Sequence, residues 1–145
     1  MKKNEKANVC FSQGFNCAQA VLTAFSPEMG VNRKTALRLG GAFGAGVGRM
    51  GDVCGAVNGA YMVIGLAHAK TNKDGDKEKE KSYELAREFT KKFKACHGSI
   101  HCRTLLGCDV STPKGLERAT KNGLFKHRCP LFVKDSVEIL DEILK

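Results

Sequence analysis

Between Gly40 and Gly51 the chain reads GGAFGAGVGRMG, with glycine at positions 40, 41, 44, 46, 48 and 51. Glycine at that density costs backbone entropy in any helix or strand interior, unless the chain needs positive φ or a close approach. The stretch therefore predicts a large shaped loop. The following CGAVNGAYMVIGLAHAK resumes an apolar, helix-compatible run, with Asp52 as its expected N-cap and Cys54 in its first turn. A thiol there faces unpaired backbone N–H groups and the positive end of the helix dipole, which both favour the thiolate. Cys54 is thus the first candidate for a reactive or metal-bound sulfur. Gly55 and Gly59 predict a bare strip for tight helix packing. Gly46 to Gly51 also matches GxGxxG, but that fingerprint has meaning only between a strand and a helix. The residues before it look helical and no β-rich run supplies a sheet, so dinucleotide binding is set aside.

A chain of 145 residues is long enough for one domain, 1–145, to bury a core without disulfides. Few aromatics, no Trp and abundant Ala, Leu, Lys and Glu lean helical, and apolar spacing predicts an all-α domain of about five or six helices around a cysteine-lined pocket. Expected helices cover residues 16–25, 33–39, Val53 or Cys54 to about Lys70, 77–97, 113–122 and the segment after Pro130, with a short helix or turn at 3–11 and a short helix from Ser99 or His101 to Gly107. Leu85, Phe89, Phe93 and Cys96 read as one buried stripe. The basic first residues lack the apolar region of a signal peptide, and no run is long enough to span a membrane, so a cytoplasmic protein is expected. The net charge of +9 is spread over segments that also carry acids, with no aromatic stacking platform. It reads as a solvated surface rather than a nucleic-acid site, with docking of an acidic redox partner as the other use.

Seven cysteines, an odd number, argue for metal or redox chemistry over a disulfide framework in a reducing compartment. Cys17, Cys54, Cys102 and Cys129 all fall at expected helix amino ends, Cys129 as N-cap before Pro130. Cys10, Cys96 and Cys108 do not. Helix amino ends pointing into one space stabilise thiolates and the negative charge of an iron–sulfur cluster, which takes four sulfurs. His97 and His101 flank the third of these cysteines and are expected to donate hydrogen bonds around it, while His68 and His127 read as surface or capping residues. No C-x2-C or H-x3-H pair supports a zinc finger.

Asn16-Cys17-Ala18-Gln19, the glycine loop leading into Cys54-Gly55-Ala56-Val57-Asn58-Gly59, Cys102 with Leu105-Leu106-Gly107, and Cys129 resemble the C_GCAxxG_C_C family of redox-active proteins. The family's four shared cysteines carry over onto Cys17, Cys54, Cys102 and Cys129. A similar domain occurs in split-Soret cytochromes c, where an iron–sulfur centre is associated with it. The resemblance implies a 2Fe-2S cluster held by those four residues, and no heme, since C-x-x-C-H is absent.

Three functions compete at this point. The first is electron transfer or redox sensing through an iron–sulfur cluster, with Arg49 either beside it or on the surface and an unidentified redox partner protein. The second is metal-free thiol–disulfide exchange, with Cys54 as the attacking thiolate and Cys17 or Cys102 resolving. The third is a structural zinc site on the same four cysteines. A homodimer with the pocket near its interface is compatible with each.

Overall fold

Asn16 shows how local chemistry sets the element boundaries. Its Oδ1 accepts the Gln19 N–H at 2.8 Å, and Gln19 Oε1 accepts the Asn16 N–H at 2.8 Å. This reciprocal capping box starts α2 (Cys17–Phe25). Asn32 caps α3 (Arg33–Leu39) through the Thr35 N–H, and Thr112 caps α7 (Pro113–Lys121), whose proline sits where no N–H is needed. The computed structural model describes residues 1–145. Its other helices are α1 (Lys3–Ser12), α4 (Gly55–His68), α5 (Asp76–His97), α6 (Cys102–Leu106), α8 (Leu124–His127) and α9 (Cys129–Ile143), with a 3-10 helix at Ser26–Met29. There is no strand; Val53 and His101 form one isolated antiparallel bridge.

The all-α expectation is met, but nine α-helices replace the expected five or six. The excess comes from short turns. Left-handed glycines stop the 3-10 segment and α6 at Gly30 and Gly107, and Gly123 separates α7 from α8. No helix is long and apolar enough to cross a membrane.

Helices α2, α4, α5 and α9 meet around one core cluster, in which Leu22, Val57, Ile64, Phe89, Phe93 and Val133 are fully or almost fully enclosed. Phe89 stacks on Phe93 at 5.9 Å and takes the edge of Tyr61 at 6.1 Å. Leu85, Phe89 and Phe93 form the expected stripe, but Cys96 is exposed. The stripe advances by four residues, so its next member is His97. That ring lies 4.7 Å from Phe93 and 5.0 Å from Phe132 and is hydrogen-bonded to Asp135 at 2.8 Å.

The tightest packing is between α2 and α4. A Cβ at Gly59 would lie 2.8 Å from the Ala18 carbonyl oxygen and 3.1 Å from Ala18 Cα. A Cβ at Gly55 would lie 2.9 Å from the Phe43 oxygen and 3.2 Å from Cys17 Cβ. The two glycines therefore serve helix packing, as their spacing predicts. Gly59→Ala should cost about 1–3 kcal/mol through overpacking against backbone that cannot yield. Gly65→Ala, in the same helix with nothing within 4 Å, should stabilise by about 0.5–1 kcal/mol. Denaturant midpoints of the two variants check the contrast; equal shifts of one sign would refute it.

Candidate functional site

Each of the four cysteines stands at a helix start. Cys17, Cys102 and Cys129 are the first residues of α2, α6 and α9, and Cys54 is the N-cap of α4. Two boundaries differ from the sequence reading. Asp52 is not the cap of α4, because its backbone is committed elsewhere: its N–H donates to Gly46 O at 2.9 Å and its carbonyl accepts the Cys102 N–H at 2.7 Å. Cys129 is not an N-cap, because α8 runs almost directly into α9 through Arg128, at φ −100°, ψ −44°.

Backbone pairing brings these starts together. Cys54 N–H donates to Ile100 O at 2.7 Å and Arg103 N–H to Gly51 O at 3.1 Å, so the segments carrying Cys54 and Cys102 run antiparallel. Arg128 Nη1 donates to Leu105 O at 3.1 Å, tying the start of α9 to α6. Asn16 Nδ2 reaches Gly40 O at 3.0 Å and Gln19 Nε2 reaches Leu37 O at 2.8 Å, so the NCAQ stretch fastens the glycine loop to the start of α2.

From Ala45 to Arg49 every residue has positive φ: 51°, 71°, 66°, 55° and 65°. Left-handed backbone costs a non-glycine residue about 1–2 kcal/mol, most for a β-branched one such as Val47. At Gly46 no side chain fits, since a Cβ would lie 2.6 Å from Asp52 N and 2.7 Å from Cys102 Cβ. The loop is held by Arg49 N–H to Gly44 O at 2.9 Å and Gly51 N–H to Ala45 O at 3.2 Å. In contrast, the N–H groups of Ala42 and of Gly44 through Gly48 have no acceptor in the protein.

Loop and helix starts enclose a cavity of about 680 Å³, lined by all four cysteines, by Ala42, Gly44, Ala45, Gly46, Gly48 and Arg49, and by an apolar wall that includes Phe11, Leu116, Phe125 and Phe132. Cys10, Cys96 and Cys108 stay outside it. Cys10 accepts from Thr23 Oγ1 at 3.6 Å and Cys108 donates to Gly115 O at 3.1 Å. The expected histidine donors stay outside as well: His97 belongs to the core edge, and His101 is exposed. The four sulfurs share the cavity without gathering tightly, for no three His, Cys, Asp or Glu side chains are placed to hold one metal ion. The aromatic wall and the Asn16 clamp were not picked out in the sequence. Capping signals at Asn16 and Gln19 were visible, whereas nothing local marks Phe11 or Phe125.

Electrostatics set the four thiols apart. Burial pushes the Cys54 thiol up to about 12, against the opposing pull of the Ala56 and Val57 N–H groups at the start of α4. Those N–H groups favour the thiolate by their direction, though no full cap hydrogen bond forms. Cys102 is also pushed up to about 12, chiefly by burial and then by the neighbouring cysteines. The neighbouring Cys129 and burial raise Cys17 well above the ordinary thiol value, and the neighbouring Cys17 lowers Cys129.

An all-α protein with a cysteine-lined cavity at converging helix starts is the class these features define. Over residues 15–143 the sequence matches the family model described as "Putative redox-active protein (C_GCAxxG_C_C)". The chain belongs to that family. Comparison with curated proteins and with solved structures gave no match.

The buried thiols make a pH prediction. A folded-state value near 12, against an ordinary 9.0, means that the folded chain holds protons the unfolded chain releases. Stability from this source is complete below pH 9 and falls as pH rises towards 12, with a slope of about 1.4 kcal/mol per pH unit for each thiol. Melting temperatures of the metal-free protein should drop over that window, less steeply in Cys54→Ser. A flat profile would contradict the burial argument.

Proposed function

We propose that Cys17, Cys54, Cys102 and Cys129 hold an iron–sulfur cluster of the 2Fe-2S type, with which the protein carries electrons or senses redox state in the reducing cytoplasm. The observation that carries this reading is that four cysteines from separate segments line one cavity at helix starts, under a loop whose N–H groups lack acceptors. Four cysteine donors suit such a cluster. The electrostatics agree with it: burial makes bare thiolates costly, and a cationic iron centre reverses that cost. A structural zinc site on the same four cysteines is the other metal reading.

The bound cluster supplies a reversible electron couple. Cys17, Cys54, Cys102 and Cys129 would hold it, and the free N–H groups of Ala45 and Gly46 would suit donation to anionic sulfur, which would raise the reduction potential. Leu105, Leu106 and Phe132 keep water from the cysteines, and Arg49 adds positive charge at the rim. An acidic redox partner protein fits the basic surface.

The nearness of Cys17 and Cys129 in the cavity supports a second reading, thiol–disulfide exchange without metal. There Cys129 thiolate attacks one sulfur of an external disulfide and expels the other as a thiolate. Cys17 then loses its proton, attacks the Cys129 sulfur, closes a Cys17–Cys129 disulfide and releases the second thiolate. Cys54 as the attacking thiolate, with Cys17 or Cys102 resolving, is the other assignment within this reading.

Anaerobic purification with iron, sulfide and zinc counted per chain, beside Cys54→Ser, tests both readings. The cluster reading expects a brown protein with equal iron and sulfide, and a Cys54→Ser variant that is bleached or loses most of its iron. A colourless protein after reconstitution that instead forms a Cys17–Cys129 disulfide would replace it with thiol exchange, and stoichiometric zinc alone would overturn both.

A further inference from the structure

The sulfurs account for only part of the cavity. A volume of about 680 Å³ equals the share of roughly twenty waters, and a core of two irons and two sulfides displaces only a few. The volume lies within the roughly 300–1,000 Å³ range of small-molecule sites. Its lining is also one-sided in charge. No Asp, Glu, Lys or His lines it, and Arg49 is the only charged residue there. Arg49 has no carboxylate partner among the ion pairs of the protein.

The donors divide by depth. Gly46 is buried against Cys102, whereas Gly48 and Arg49 are exposed at the rim and the Gly48 N–H has no acceptor. Phe11, Leu116 and Phe125 give the cavity an apolar wall. We infer that the outer part of the cavity binds a small organic monoanion with an apolar body, an aromatic or branched carboxylate, its charge on Arg49 and the Gly48 N–H and its body on Phe11, Leu116 and Phe125. A single guanidinium matches a single carboxylate. Burying the apolar wall under a hydrated inorganic anion would gain nothing, so the body of the ligand matters as much as its charge. The cluster reading enters only in assigning the inner end of the cavity to the cysteines; Arg49, the free N–H groups and the apolar wall stand without it.

Isothermal titration with benzoate and with neutral, equally shaped benzamide tests the site in cluster-loaded and cluster-free protein. Benzoate should bind at least about tenfold more tightly than benzamide, the scale of one charge-assisted hydrogen bond. Arg49→Gln should erase that preference without weakening benzamide, and Arg49→Lys should restore part of it, with unchanged melting temperatures showing that the variants fold. No benzoate binding at millimolar concentration, equal affinity for benzamide, or benzoate binding indifferent to Arg49→Gln would each overturn the inference. So would binding to the cluster-free form alone when a loaded form exists, because the cluster would then occupy the same donors. Iron and sulfide are counted on the same preparations. A chain that never takes up iron therefore removes the cluster reading, while Arg49-dependent benzoate binding to that chain still supports the anion site.

Discussion

The contact between α2 and α4 at Ala18 is the constraint from which the site follows. With no Cβ on Gly55 or Gly59, the backbones come close enough that Cys17 and Cys54 begin adjacent helices at the same end of the molecule. Once that end is fixed, the Gly51–Cys54 segment has open backbone groups facing outward. Residues Ile100 to Arg103 satisfy them and deliver Cys102. Arg128 then secures the start of α9 on the Leu105 carbonyl and delivers Cys129. Each step uses backbone polar groups that would otherwise be buried unpaired, which costs about 1–3 kcal/mol apiece. The apolar core on the far side of α4 and α9 keeps this end from spreading.

Helix starts and burial pull these thiols in opposite directions, and burial prevails at Cys54 and Cys102. A helix start is worth roughly 0.3–1 kcal/mol to a nearby exposed anion, whereas each unit of raised pKa represents about 1.4 kcal/mol. The comparison explains why position at a helix amino end does not by itself make a reactive cysteine. Cys129 is lowered by a different agent, its neighbour Cys17, which is itself raised.

Much of this was legible in the sequence because the relevant signals are local. Asn16, Asn32 and Thr112 are side-chain caps that announce α2, α3 and α7, and Gly107 announces the end of α6. The four cysteines separate from the other three by the same local criterion, nearness to a helix start, and the cavity gathers those four and omits the rest. What was not legible is what depends on packing between distant segments. Cys96 and His97 are neighbours at the end of α5, and only the position of Phe132 and Asp135 on α9 decides which of them turns inward. Asp52 has the side chain of a cap, yet its backbone is consumed by Gly46 and Cys102, so Cys54 takes the capping position. Phe11 and Phe125 lie far apart in the chain and carry no sign that they line one wall with Phe132.

The glycine loop carries two costs at once. Ala45, Val47 and Arg49 are left-handed without the relief that glycine gives, together several kcal/mol on the scale of about 1–2 per residue. A right-handed helical turn over the same residues would remove that strain and satisfy successive N–H groups with carbonyls four residues back. The loop does the reverse and leaves the N–H groups of Gly44 to Gly48 without protein acceptors. Asn16, Gln19 and Asp52 hold it in that state through Gly40, Leu37 and Gly46, so the arrangement is built in rather than tolerated. Five residues of this unpaired set, Ala42, Gly44, Ala45, Gly46 and Gly48, line the cavity, so the strained loop sets its free donors beside the cysteines.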